Sequence, residues 1–286
     1  MIDNNKKNVI IFGASEGGKN FIKKQSEFEI LAIADNDRNK IGLKLENYLV
    51  IPPHDILNYD FDNVVITSMY FNPIQKQLLD LGVDENKIIA APKSFLKSVE
   101  YPFQNNKTRE FAQKILLELS KSFQELSINY FVDFGTLLGI VRDGGLITWD
   151  DDIDFSIPHY ELNNLIHSID GILLKINKGV IWKYEIIYNS DKTVSNIVLN
   201  FEDIFDLGLK AFAVDLWIIY FESGLAIQTM NKVSDIHFLE NDLVLFKGES
   251  INVPKEYVHY LEHTYGNWKV PKKDTTFADY PFAFTN

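Results

Sequence analysis

The chain has 286 residues, of which 46% are apolar, 24% charged and 13% aromatic; this suits one large or two modest globular domains and excludes wholesale disorder. Forty acidic against 28 basic residues leave a net charge of −12, which argues against a protein that grips nucleic-acid backbones. With no cysteine in the chain, disulfide scaffolds, thiolate-ligated zinc, iron–sulfur clusters and thiol nucleophiles are excluded.

The opening MIDNNKKNVIIF lacks the long apolar core and small-residue cleavage site of a signal peptide, and no apolar run reaches the length of a membrane span. The expected location is cytoplasmic, with no membrane span. Charge is shared unevenly. Residues 1–105 hold 12 basic and 14 acidic residues, and the remainder 16 and 26, which suggests two units with different tasks.

In chain order, Asn8–Phe12 reads as a buried strand, Glu16–Lys24 as an amphipathic helix, and Phe28–Ala34 and Val64–Thr67 as further strands. Pro73–Leu81 reads as a helix with proline at its start, and Lys87–Ala90 as a last strand. Strands alternating with helices imply βαβ units, and their continuous apolar runs suit a parallel sheet covered on both faces. The expectation for 1–95 is a Rossmann-like α/β domain.

The first strand ends in Gly13-Ala14-Ser15-Glu16-Gly17-Gly18, a G-x-S-x-x-G turn, and Asp35 follows the second strand at the position of a ribose-binding carboxylate. A tight turn into a helix N-terminus favours phosphate. Gly13, Ser15, Gly18 and Asp35 are therefore candidates for binding a nucleotide-like cofactor. The alternative is a structural or docking role, since the Ser15 Cβ stands where a pyrophosphate needs close backbone approach. The stretch resembles small Rossmann-like domains fused to sugar-polymer enzymes.

Residues 91–107 read as a linker, followed by a second domain over 108–286. Thr108 is expected to cap a helix reaching about Ser127, with Phe111, Ile115, Leu116, Leu119 and Phe123 on one face. Strands are expected at Asn129–Phe134, Ile153–Ile157, Trp182–Tyr188, Val194–Phe201 and Ala211–Tyr220, with few long helices and a last helix from Pro254 to about Thr264. That is an α+β pattern.

Asp150, Asp151, Asp152 and Asp154 crowd into five positions. On a strand, Asp152, Asp154 and Ser156 share one face while Ile153, Phe155 and Ile157 point to the core. Like charges this close raise one another's pKa values unless a cation neutralises them, and a hard divalent ion, Mg²⁺ or Mn²⁺, is the natural partner. Asp215, alone in the apolar run Phe212–Ile218, completes the expected metal set of Asp150, Asp152, Asp154 and Asp215. Gly135 and Thr136 open a short helix where small residues admit a phosphate to the backbone N–H groups, and Arg142 at its end offers a bidentate phosphate partner. Trp149 is a candidate for stacking on a base or sugar, with core packing the alternative. The six histidines show no HxxxH spacing inside an acidic pocket, and His259 and His263, at i, i+4, read as a helix surface rather than a metal site.

These residues resemble the LicD family of phosphocholine transferases, related to fukutin-like proteins and to the nucleotidyltransferase superfamily. The family pattern stands here as Gly135–Arg142 and Ile147–Asp154, extends to the VDLW segment at Asp215, and reaches Pro254, Tyr265, Gly266, Trp268 and Pro271. Thr148 replaces the usual proline before Trp149, and Asp143 stands where a basic residue is common. The resemblance covers about 108–275. It implies a nucleotidyltransferase-like fold and transfer of a phospho-alcohol, phosphocholine or similar, from a CDP-activated donor to a hydroxyl of a cell-surface glycan or its precursor, with CMP leaving. Asp152, Asp154, Asp215 and Arg142 would carry catalysis, with one carboxylate taking the acceptor proton. Transfer of the nucleoside monophosphate itself is a close variant. An NAD-dependent oxidoreductase built on the glycine turn and a non-catalytic scaffold are the remaining alternatives, and oligomeric state is left open, a homo-oligomer included.

Overall fold

The computed structural model describes residues 6–96, 101–189, 191–229, 231–272 and 276. The chain divides into two compact units between Val99 and Glu100, and the second closes at Pro271. Residues 97–100 of the expected linker and the expected domain end at 277–286 lie outside the described residues.

The first unit runs β1 (Lys7–Phe12), α1 (Glu16–Lys24), β2 (Phe28–Ala34), β3 (Lys44–Leu45), β4 (Tyr48–Ile51), β5 (Asn63–Ile66), α2 (Phe71–Asp80), β6 (Ile88–Ala90) and α3 (Lys93–Leu96). Its sheet has the order β3-β4-β2-β1-β5-β6, with every pair parallel except β3–β4. β1 shows why its apolar run is unbroken. Ile10 and Phe12 pack on one face with Ile74 and Leu78, while Val9 and Ile11 pack on the other with Phe21 and Ile33.

The second unit opens with α4 (Asn106–Glu125), β7 (Phe131–Val132), α5 (Phe134–Asp143), β8 (Asp152–Pro158) and α6 (Leu162–Lys175). It continues with β9 (Ile181–Tyr188), β10 (Val194–Glu202), β11 (Ala213–Glu222), β12 (Leu225–Gln228), β13 (Asn231–Ser234), α7 (Ile236–Leu239), β14 (Asn241–Phe246), β15 (Glu249–Pro254) and α8 (Tyr257–Tyr265). Strands β13-β12-β11-β10-β9 form an antiparallel path, β8 pairs with β11 in parallel on its other edge, and β7 pairs with β8. β14 and β15 form a separate hairpin. The core gathers Ile115, Leu116, Leu119 and Phe123 from α4 against Ile153, Phe155 and Ile157 of β8, each side chain contributing about 1.5–3 kcal/mol of burial. Among the described residues no helix is long and apolar enough to cross a membrane.

Several local expectations change. Asn105, not Thr108, caps α4: its side chain accepts from the Thr108 N–H at 3.0 Å, and Thr108 is buried with its hydroxyl accepting from the Lys210 N–H. The strand expected over Asn129–Phe134 shortens to Phe131–Val132 because Asp133 turns the chain into α5. Pro254 ends β15 rather than opening the last helix, which starts at Tyr257. The long helix α6 was not expected.

Candidate active site

β8 and β11 build the site. Asp215 stands opposite Asp154 and Ala213 opposite Asp152 in the parallel register, and residues in register on neighbouring strands project to the same face. Asp152, Asp154 and Asp215 each bring a carboxylate oxygen to within 4.8 Å of the others. Asp150, Asp151 and Asp152 form a second such group, so Asp152 belongs to both. Asp151 was not among the expected ligands, although its place in the acidic run is the signal that could have included it.

Asp154 and Asp215 are each oriented by neighbours. Trp217, two residues past Asp215 and on the same face, donates its Nε1–H to Asp154 Oδ1 at 3.1 Å. The Asp154 N–H donates to Thr136 Oγ1 at 2.8 Å, which ties the start of α5 to β8. Asn196 of β10 donates from Nδ2 to Asp215 Oδ1 at 2.7 Å. Asp154 is 7% exposed. Its burial, then the charges of Asp215 and Asp150, hold its carboxyl well above the usual range, with the Trp217 hydrogen bond opposing. An all-oxygen donor set whose central member is buried among like charges fits a hard divalent cation.

Gly135 admits these carboxylates. A Cβ built there would lie 2.4 Å from Asp150 Oδ2 and 3.7 Å from Asp154 Oδ2. Thr136 is buried, and its hydroxyl oxygen accepts from the Asp154 N–H. The preceding Phe134 has φ 44°, in the left-handed region, a conformation that costs an aromatic residue about 1–3 kcal/mol. The Phe134 N–H donates to Asp133 Oδ1 at 2.7 Å, and its ring meets Trp217 edge-on at 6.2 Å.

Asp133 is a further site residue that sequence reading missed, beside Asp151, Asn196 and Trp217. It is fully buried, and it accepts from the Phe134 N–H, the Ser156 hydroxyl and the Tyr260 hydroxyl. The direction of the network follows from its ends: Gln228 Nε2 donates to Ser156 Oγ and Asn231 Nδ2 to Tyr260 Oη. Amide nitrogens only donate, so both hydroxyl protons turn toward Asp133. Burial pushes its carboxyl up while these three donors pull it down. Ser156 is fully buried.

Arg142, in the last turn of α5, donates from Nε and NH2 to the two oxygens of Asp143 at 2.8 and 2.7 Å. Its guanidinium carbon lies 5.9 Å from the centre of the half-buried Trp149 ring. In the first unit, the glycine turn and Asp35 do come together. Asp35 Oδ2 accepts from the Ala14 N–H at 2.6 Å and from Lys40 Nζ at 3.4 Å, and its Oδ1 accepts from the Asp37 N–H. Gly13 has φ 126°, and a Cβ on Gly18 would sit 2.1 Å from the Gly13 carbonyl oxygen. The Ser15 side chain makes no cap hydrogen bond to α1. His259 is exposed on α8, as expected, while His237 is buried with Nδ1 at 2.6 Å from the Lys255 carbonyl.

Residues 127–265 match the model of the LicD/FKTN/FKRP nucleotidyltransferase domain, and residues 5–89 match the C2185-like N-terminal family. The uncharacterized protein RP689 of Rickettsia prowazekii is 29% identical over 167 residues, 54% of this chain and 54% of its own. Ribitol-5-phosphate transferase FKTN of Mus musculus is 26% identical over 183 residues, 60% of this chain and 36% of its own. The chain thus spans about half, or less, of the curated relatives it matches. A crystal structure of ANT(2")-Ia in complex with adenylyl-2"-tobramycin overlaps 52% of this chain and 76% of its own at 12% identity, with a TM-score of 0.33; a likeness at that level carries no argument.

Proposed function

The second unit of this chain belongs to the LicD/FKTN/FKRP family, and from that premise we propose that the protein is a metal-dependent transferase. In this reading it moves a phospho-alcohol from a CDP-activated donor to a hydroxyl of a cell-surface glycan or its precursor, in the cytoplasm. One observation carries the reading: the carboxylates of Asp152, Asp154 and Asp215 converge within the family-matched segment. Asp152, Asp154 and Asp215 would hold Mg²⁺ or Mn²⁺, with Asp150 as a further ligand. Such an ion supplies positive charge against a pyrophosphate and its leaving group.

The rest falls to the chain. Trp217 and Thr136 fix Asp154, and Asn196 fixes Asp215, so the carboxylates meet the donor already oriented. The backbone at Gly135 and Thr136 is the proposed contact for a donor phosphate, with Arg142 as its proposed charged partner. Asp215, less buried than Asp154, is the carboxylate assigned to accept the proton of the attacking hydroxyl. Phosphoryl transfer asks little more than such positioning and charge neutralisation.

CMP release from CDP-ribitol, CDP-choline, CDP-glycerol and CDP-ethanolamine, each with an acceptor glycan and with or without EDTA, tests this. The expected result is EDTA-sensitive CMP release with one donor class. Release of pyrophosphate from a nucleoside triphosphate instead would favour the variant that transfers a nucleoside monophosphate. Asp35 already serves the Ala14 and Asp37 amides, which favours a scaffold role for the first unit over a dinucleotide site.

A further inference from the structure

Asp133 is fully buried at the corner between β7 and α5, and it grips the chain on both sides of the carboxylate face. On the β8 side, its N–H donates to the Asp154 carbonyl at 3.1 Å, and its Oδ2 accepts from the Ser156 hydroxyl at 2.5 Å. Ser156 follows Asp154 by two residues on that strand, so the two side chains project to one face. β8 is thereby held at a proposed metal ligand and again one alternation beyond it. On the α5 side, Oδ1 accepts from the Phe134 N–H and from the Tyr260 hydroxyl, both at 2.7 Å. The Asp133 carbonyl accepts from the Leu137 N–H at 2.9 Å.

The second grip decides how α5 begins. Phe134 has φ 44°, and a bulky residue keeps a left-handed backbone only where its surroundings over-determine it. Here the Asp133 carboxylate on its N–H and the edge-on Trp217 ring do so. From that turn the chain brings Gly135 against the Asp150 carboxylate and Thr136 Oγ1 onto the Asp154 N–H at 2.8 Å. Trp217, which meets the Phe134 ring, also donates to Asp154 Oδ1. Gln228 and Asn231, paired across β12 and β13, hold the Ser156 and Tyr260 hydroxyls toward Asp133. We propose that Asp133 is a positioning residue for the divalent-cation site: by tying the Phe134 turn to Ser156 and Tyr260, it sets the join of α5 and β8 at which the Asp150 and Asp154 carboxylates meet a cation. The proposal rests on the metal reading given under Proposed function.

The test is Mn²⁺ titration of the full chain in Asp133→Ala, Asp133→Asn and Tyr260→Phe, with circular dichroism to confirm folding. Ile169→Ala is the control, since it opens a cavity in the core of the same unit on α6. Asp133→Ala should weaken Mn²⁺ binding about tenfold, the scale on which residues behind a metal's ligands act. Tyr260→Phe should weaken it less, and Ile169→Ala should leave it unchanged. Asp133→Asn should retain most of the affinity. Its Oδ1 still accepts from Phe134 and Tyr260, and its Nδ2 can donate to the Ser156 hydroxyl oxygen. Unchanged binding in folded Asp133→Ala or in Tyr260→Phe would overturn the proposal. So would an equal loss in Ile169→Ala, which would mean global stability, or in Asp133→Asn, which would mean charge rather than geometry. If Asp133→Ala does not fold, Tyr260→Phe against Ile169→Ala decides. If the unaltered chain binds no Mn²⁺, the metal reading fails, and amide hydrogen exchange still tests the join: acceleration over residues 134–137 and 152–156 in Tyr260→Phe but not in Ile169→Ala supports it, and unchanged exchange overturns it.

Discussion

Asp154 and Asp215 stand directly opposite one another in the register of the parallel strands β8 and β11. The register therefore sets two like charges side by side. Asp154 is buried among like charges, and the arrangement is stable only when protons or cations offset them.

A pH dependence follows. The folded-state pKa of Asp154 is raised by burial and by Asp215 and Asp150, so the metal-free protein binds a proton that the unfolded chain releases. The stability this gives is full below the ordinary carboxylate pKa and is lost as pH rises through the raised value. In EDTA, the melting temperature should fall as pH climbs above the usual carboxylate range, and Mg²⁺ should restore it. Asp154→Asn should flatten both dependences. A wild-type melting temperature that rises with pH in EDTA and ignores Mg²⁺ would contradict this.

Two glycines of α5 should respond differently to alanine. At Gly135 the new Cβ meets the far end of the Asp150 side chain at 2.4 Å, whereas at Gly139 it meets the Gly145 carbonyl oxygen at 2.6 Å and Ile147 at 2.9 Å. Gly135→Ala should leave unfolding within about 1 kcal/mol of wild type while weakening Mg²⁺ binding. Gly139→Ala must move backbone and should cost about 1–3 kcal/mol. Urea unfolding combined with metal titration separates the two, and equal losses of stability would count against the geometry.

The Asp133 network supplies a third prediction. Asp133→Ala leaves three donors unpaired, two of them buried, and should destabilise by about 3–5 kcal/mol. Tyr260→Phe removes one donor and strands Asn231, costing about 1–2 kcal/mol. Chemical denaturation showing less than 1 kcal/mol for Asp133→Ala would mean that the carboxylate is not the hub described.

In the first unit, Asp35→Ala deprives the buried end of β1 of the acceptor for the Ala14 N–H and should cost about 1–3 kcal/mol. Titrating the unaltered chain with NAD should give no heat if Asp35 serves the scaffold. Measurable binding of NAD that Asp35→Ala abolishes would restore the cofactor reading.

Much of this site was legible because strand periodicity is local. Alternation from Asp152 to Ile157 and the single charge at Asp215 are visible without knowing what lies beside them. The pairing of β8 with β11, which joins those signals, spans more than sixty residues and is set by the sheet. Asp133 was missed for the same reason: its partners Ser156 and Tyr260 lie 23 and 127 residues away, and nothing near Asp133 in sequence announces them. Asn196 and Trp217 read as ordinary strand residues until the register brings them against Asp215 and Asp154. In β14 the apolar residues Leu243 and Leu245 face outward, so its pattern carried no strand signal of a buried face. The Thr108 cap failed because Asn105 and Thr108 both fit a helix start, and packing of Thr108 against the chain at Lys210 decides between them.

The account depends most on the claim that Asp152, Asp154 and Asp215 together hold a divalent cation. Titrating Mn²⁺ into the protein while following the free ion by electron paramagnetic resonance tests it without assuming a substrate. The account predicts saturable binding to the unaltered chain, competed by Mg²⁺ and lost in Asp152→Asn and in Asp215→Asn while circular dichroism shows both variants folded. Equal Mn²⁺ binding by the folded Asp215→Asn variant would contradict it.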